Sequence, residues 1–247
     1  MLEIRDLQKY YGHDRALNGV SFIVSLGEIV GLLGENGAGK TTLMKAVLNF
    51  LPEWEGEILL DGERVGPKNY HKLAFASSEH TFFGGLTAME HRDFYRSIFP
   101  DFDEKRFLLL LDFFELPRHK PARSFSLGMK NQLETVLALS QGASYILMDE
   151  PFSGSDIFGR EDFYRLLLGL LRPDESIILS THLVEEVKHF LSRAVLLRRG
   201  KMLADVQLSQ LEDEGVDLVD WMKEQYGHNS ARVAQLAMEA REGGDTP

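Results

Sequence analysis

Cysteine is absent from all 247 residues, which excludes disulfides and thiolate-held metal and is compatible with a reducing compartment without establishing one. Cations are in short supply: 27 Lys and Arg face 38 Asp and Glu, a formal charge of −11. A broad nucleic-acid surface needs clustered cations against phosphates, so none is expected, although a local basic patch is compatible with this balance. Long apolar runs are missing too. The densest stretch, Phe107-Leu108-Leu109-Leu110-Leu111-Asp112-Phe113-Phe114, is interrupted by a carboxylate and is far shorter than the roughly 20 residues of a spanning helix. Met1-Leu2-Glu3-Ile4-Arg5-Asp6 alternates as a strand does and lacks a basic region followed by an apolar block, so no secretory leader is expected. There is no internal repeat and no low-complexity block. The apolar content that is present, 44%, suffices for one α/β core with a smaller helical lobe.

The strongest local signal is Gly34-Glu35-Asn36-Gly37-Ala38-Gly39-Lys40-Thr41-Thr42, a G-x-x-x-x-G-K-[ST] pattern. Ile29-Val30-Gly31-Leu32-Leu33 before it is a short apolar run of buried-strand type, and Leu43, Met44, Val47 and Leu48 after it recur at helical spacing. The loop is therefore expected between a strand and a helix, where a polyphosphate is best served. Glycines at 34, 37 and 39 let backbone N–H groups turn inward, and the helix start adds partial positive charge. In this pattern Lys40 reaches the β and γ phosphates, the Thr41 hydroxyl ligates Mg²⁺, and Thr42 supports the phosphates.

The rest of the chain alternates in blocks. Strands are expected over Leu2 to Leu7, Val20 to Val24 and Glu57 to Leu60, the last closing on the turn pair Asp61-Gly62. Tyr10 and Tyr11 fall at the end of the first strand, where one could stack on an adenine ring while the other packs. From about residue 86 the pattern turns helical. Thr87-Ala88-Met89-Glu90 has the form of a capping box, residues 103 to 116 carry a wide apolar face, and a third stripe runs from Gly128 through Leu133, Val136, Leu137 and Leu139. A helical lobe inserted into the α/β core follows. Tyr145-Ile146-Leu147-Met148 and Ser176-Ile177-Ile178-Leu179-Ser180 read as central parallel strands, joined by a crossover helix over Glu161 to Leu171. Ala194 to Leu197 predicts a late strand that turns at Arg199-Gly200-Lys201. Beyond Asp205 the acidic chain shows two weak helical stripes, one with Leu211, Val219 and Trp221 and one with Val233, Leu236 and Ala237, before a frayed end at Gly243-Gly244-Asp245-Thr246-Pro247.

A second chemical anchor is Asp149-Glu150 at a strand end. An aspartate there can hold Mg²⁺ through water, and the next carboxylate can orient or deprotonate an attacking water, which is the positioning on which phosphoryl transfer relies. His182 leaves the carboxyl end of the strand ending Ser180-Thr181, the edge at which open α/β sheets place ligands, and could contact a γ phosphate there.

Over its first 205 residues the chain resembles the ATP-binding subunit of ATP-binding cassette (ABC) transporters. Gly34 to Thr42 matches the Walker A motif, Ser126-Leu127-Gly128-Met129 is similar to the signature motif, and Tyr145 to Glu150 matches Walker B. Ser153-Gly154-Ser155-Asp156 corresponds to the D-loop, His182 to the switch histidine and Tyr11 to the adenine-stacking aromatic. Details such as Ser-Thr-His-Leu-Val-Glu-Glu-Val look most like the bacterial branch serving ABC-2 type export permeases. The resemblance implies a P-loop NTPase core with an N-terminal antiparallel β subdomain and a helical subdomain over about 86–143, followed by an acidic tail over 206–247.

It also implies ATP hydrolysis with Mg²⁺ by a head-to-tail dimer, with itself or a related ATPase chain, in which each signature caps the nucleotide of the opposite subunit. Membrane permease chains would dock near residues 78 to 90, and the subunit would be cytoplasmic and peripheral on the inner face of the cell membrane. Departures are visible: Ser78, with Glu79 beside it, stands where the family has its magnesium-ligating glutamine, Leu127 replaces the commonest glycine, Met129 a glutamine and Ser155 a leucine. The rival readings are a non-transport ABC ATPase acting on nucleic acid and a nucleotide-binding regulatory module. Nucleic-acid relatives insert long coiled coils or zinc modules, whereas about 80 residues separate the phosphate loop from Ser126 here. Glu150 and His182 speak against a module that does not hydrolyse.

Overall fold

The computed structural model describes residues 1–77, 79–151 and 157–227, the side chains of 157–160 excepted. Ser78, the segment 152–156 with Ser153, Gly154, Ser155 and Asp156, and the final stripe and chain end expected beyond Gly227 lie outside the described residues.

The chain opens with β1 (Leu2–Tyr11) and β2 (Asp14–Val24), then β3 (Ile29–Leu33), helix α1 (Lys40–Val47), β4 (Trp54–Leu60) and β5 (Glu63–Arg64). A short β6 (Leu73–Ala76) precedes three helices, α2 (Ala88–Ile98), α3 (Glu104–Phe113) and α4 (Leu127–Ser140). There follow β7 (Tyr145–Asp149), α5 (Ile157–Leu170), β8 (Ser176–Thr181), α6 (Val184–Val187), the hairpin β9 (Arg193–Arg198) and β10 (Lys201–Gln207), and finally α7 (Leu208–Glu214) and α8 (Leu218–Gln225). The first strands form an antiparallel sheet of order β2-β1-β4-β5, and the others a six-stranded sheet of order β10-β9-β3-β8-β7-β6. That sheet is parallel except at its β10 edge. This is the expected α/β phosphate-loop core with an antiparallel β unit at its start and helices inserted between β6 and β7.

The central strands are buried from end to end, as their continuous apolar runs predict. Their period of two divides the core. Ile29, Leu33, Ile146, Met148, Ile177, Leu179, Ala194 and Leu196 face the helical lobe and α5. Val30, Leu32, Tyr145, Leu147, Ile178, Val195 and Leu197 face α1 and the antiparallel sheet. Thr87 and Glu90 form the predicted capping box, Glu90 N donating to Thr87 Oγ1 at 3.2 Å and Thr87 N to Glu90 Oε2 at 2.7 Å.

A buried ion pair fastens the lobe to the core. Arg106 of α3 meets Glu175, just before β8, through two parallel bonds of 2.8 and 2.9 Å, and also donates to the carbonyl oxygens of Leu139, at 2.9 Å, and Leu170. Both side chains are almost fully enclosed, so the guanidinium is held on all sides by acceptors.

Several expectations need correction. The first strand does not stop at Leu7: it continues to Tyr11 past an irregularity at Asp6, where φ is +45. The stripe with Leu211, Val219 and Trp221 is two helices, because Gly215 ends α7 in the left-handed conformation. Leu208, Leu211 and Leu218 enter the main core cluster. Among the described residues no helix is long and apolar enough to cross a membrane.

Candidate functional site

The register of the parallel sheet assembles the site. Leu33 pairs with Thr181 and Asp149 with Ser180, so the loop after β3, the carboxylates after β7 and the histidine after β8 leave one edge together. A cavity of about 210 Å³ lies there, lined by Asn36 to Thr42, by Asp149 and Glu150, and by Ala16. Gly34 and Glu35 serve differently: their carbonyl oxygens accept from Lys40 Nζ at 2.7 and 3.2 Å. Lys40 is buried, and burial lowers its pKa, against Glu150 and Asp149, which raise it. A polyphosphate entering the cavity would relieve that desolvation by offering the ammonium a full negative charge.

Close backbone approach explains the residue at the start of α1. Gly39 has φ +107, and a Cβ there would lie 2.7 Å from the Ala16 carbonyl oxygen. The same oxygen would be 2.6 Å from a Cβ on Gly200, the turn of the β9–β10 hairpin. Gly200 also donates its N–H to Ala38 O at 2.9 Å and accepts from Asn18 N at 2.8 Å. The two sheets and the phosphate loop therefore touch through backbone alone at this point.

The acidic pair is held by β8. Ser180 Oγ donates to Asp149 Oδ1, while Glu150 N donates to Ser180 O at 3.1 Å and to Ser180 Oγ at 3.2 Å. These bonds fix a strained turn, φ +48 at Glu150, where β7 ends. His182 Nδ1 lies 3.0 Å from both Glu150 carboxylate oxygens. His182 is half-exposed and Glu150 mostly covered. The arrangement can orient a water at Glu150 and hold a proton on His182. Among the described residues no group of three or more His, Cys, Asp or Glu gathers to hold a metal, so a magnesium ion would be completed by phosphate oxygens beside Thr41 and Asp149.

Other expected residues stand apart from this cavity. Ser126 caps α4, accepting from Met129 N at 3.3 Å, and Leu127 beside it is 62% exposed; neither these nor Gly128 line the cavity. Tyr11 is also exposed, with the Lys9 ammonium 5.0 Å above its ring, and Tyr10 is exposed with the Arg15 guanidinium at 4.9 Å, so neither tyrosine packs in the core. Among residues the sequence did not single out for the site, Ala16 lines the cavity, while Gly200 and Tyr226 touch the phosphate loop at Ala38 and Glu35. Tyr226 sits under Arg198 at 5.1 Å, its hydroxyl 3.4 Å from Leu197 O and within reach of the Glu35 backbone.

Comparison with known proteins gives the family. A family model described as "ABC transporter" matches residues 17–153, more than half of the chain. The chain belongs to the ABC transporter family. It is an ATP-binding, ATP-hydrolysing ABC cassette. It is 31% identical over 221 residues to the ABC transporter ATP-binding protein YtrB of Bacillus subtilis (strain 168), covering 88% of this chain and 76% of that one. The SkfA peptide export ATP-binding protein SkfE of the same organism is 30% identical over 91% of this chain and 95% of its own. A solved ATP-binding subunit of an ABC transporter superposes with a TM-score of 0.76 at 27% identity, covering 97% of this chain and 98% of the other.

Proposed function

We propose that this ABC cassette is the motor of an exporter: two copies, or one copy and a related ATPase chain, close head to tail over two ATP molecules and drive a separate membrane permease. The observation that carries this reading is the division of the site. Lys40, Asp149, Glu150 and His182 converge on one sheet edge, while Ser126 begins a helix outside that cavity with an uncovered leucine at its side. A terminal phosphate held by the first group is left open on one side, and a helix start offering Ser126 and backbone donors suits that side when it comes from a partner.

Lys40 binds the β and γ phosphates, Gly34 to Thr42 wrap the chain of phosphates, and Tyr11 stacks on adenine. Thr41, and Asp149 through water, would hold magnesium, with Ser78 the further candidate, and the ion would supply neutralisation of phosphate charge. Glu150 orients and deprotonates the attacking water, and His182 steadies Glu150 and reads the γ phosphate. The ATP-binding unit spans 1–205 with its helical subdomain at about 86–143, and the acidic stretch 206–247 follows, with Leu208, Leu211 and Leu218 joining the core.

The permease contact falls in the groove between the core and the helical lobe. A cavity of about 510 Å³ opens there, lined by Phe50, Tyr70, Phe75, Tyr95, Ile98 and Phe99, a surface fitted to an apolar helix end. Docking there places the subunit peripherally on the inner face of the membrane. The export direction draws support from the similarity to a peptide export protein.

Glu150→Gln tests the reading, since it keeps shape and removes the base. With saturating ATP and magnesium this variant should elute from gel filtration as a dimer and turn over slowly. Elution as monomer alone would refute the head-to-tail assembly, and undiminished turnover would remove Glu150 from catalysis.

A further inference from the structure

Glu134 is an anomaly. It lies in the middle of α4, among Leu133, Val136 and Leu137, and is 2% exposed. A carboxyl in such a place costs free energy unless its oxygens are used. They are used by one segment. Thr81 N and Thr81 Oγ1 both donate to Glu134, the hydroxyl at 3.0 and 3.3 Å, and Phe82 N adds a further bond. One turn earlier on the same helix, His80 Nε2 donates to Asn131 Oδ1 at 2.8 Å. Residues 80–82 are thus strapped along the side of α4.

The same segment has a second, weaker tether. Glu79 accepts from Lys45 Nζ at 2.7 Å, and Lys45 belongs to α1, the helix that Lys40 opens. Glu79 is 67% exposed, so this ion pair is worth little, about 1 kcal/mol at most. The bonds to Glu134, whose carboxyl is buried, are the firmer end. The loop after β6 therefore bridges the phosphate-loop helix and the helix capped by Ser126, and is fixed to the latter.

We propose that Glu134 is a positioning residue of the ATPase cycle, latching residues 80–82 to α4 so that Ser126 and the loop tethered to α1 move as one body. A purely structural filler at this point would be an apolar side chain, which costs nothing to bury. A buried carboxylate aimed at three loop donors instead specifies one arrangement of loop on helix. Tyr95 and Phe82 are partly buried against the core cluster that holds Leu133, Val136 and Leu137.

This rests on the head-to-tail reading above, and the test keeps the two apart. Steady-state ATPase activity and binding of a fluorescent ATP analogue are measured for the wild type, Glu134→Ala, Glu134→Gln, Thr81→Val and the Glu134→Ala, Thr81→Val pair. Glu134→Ala should lose about tenfold or more in kcat while the analogue's affinity stays within about twofold. Glu134→Gln, which retains an acceptor oxygen, should recover most of that loss. The paired variant should be less impaired than the sum of its singles, because the two residues act through one contact. Unchanged kcat in Glu134→Ala, no rescue by glutamine, strict additivity, or a parallel fall of affinity and kcat would each overturn the proposal. A wild type that neither dimerises with ATP nor hydrolyses it would instead count against the head-to-tail reading.

Discussion

Glutamine at position 134 should change how the fold answers to pH. Burial pushes the Glu134 carboxyl from 4.5 up to about 7, against the bonds from Thr81 and Phe82, which lower it. At 1.36 kcal/mol per unit, that displacement is about 3 kcal/mol. The unfolded chain gives up this proton near 4.5, whereas the folded chain keeps it until about 7. Across that window the unfolded state binds fewer protons, so stability falls as pH rises and levels off above it. Glu134→Gln carries no titrating proton and lacks this slope. Urea unfolding of both proteins at pH 5 and pH 8 gives the difference directly, and the wild type should lose about 2 kcal/mol relative to the variant between the two. The ionisable neighbours cancel in the subtraction: Tyr95, pushed up to about 12 by burial first and by Glu134 second, stays protonated throughout, and His80 and His91 are common to both proteins. Parallel stability curves would refute the reasoning, since a carboxyl ionised in both states contributes no slope.

Two further substitutions test the framework around the site. Arg106→Ala leaves Glu175 buried without its partner, and should cost about 3–5 kcal/mol in chemical denaturation while the ATP affinity of the folded fraction is kept. Gly39→Ala forces a side chain into φ +107 and against the Ala16 oxygen, so calorimetric titration should show loss of nucleotide binding, with a penalty on folding of more than about 1 kcal/mol.

Much of this molecule was legible because its chemistry is local in the chain. Gly34 to Thr42 carries its own turn, helix start and cation, and Thr87 with Glu90 carries its own cap. The two runs 145–148 and 176–180 announce central strands because both faces are covered. Strand β6 escaped notice since four residues, Leu73 to Ala76, are too few to show a period. Gly215 could have warned that the stripe after Asp205 is broken, being a helix terminator in an otherwise helical run. Ala16 and Tyr226 bear no local mark at all, because each reaches the site only through the folding of distant segments onto β3 and its loop. Glu134 did leave a sign, a lone carboxylate within an apolar stripe, but only the fold shows which donors it meets.

The close packing of Gly200 has a practical bearing on how inherited variation in this chain should be weighed. Surface hairpin corners ordinarily tolerate almost any replacement, and Arg199-Gly200 has the outward look of one. Yet its amide supports Ala38, and its bare α-carbon leaves room for the Ala16 carbonyl. In a saturation survey scored by survival on ATP-dependent growth, position 200 should cluster with the glycines of the nucleotide loop, far from it in the gene, rather than with its permissive neighbours.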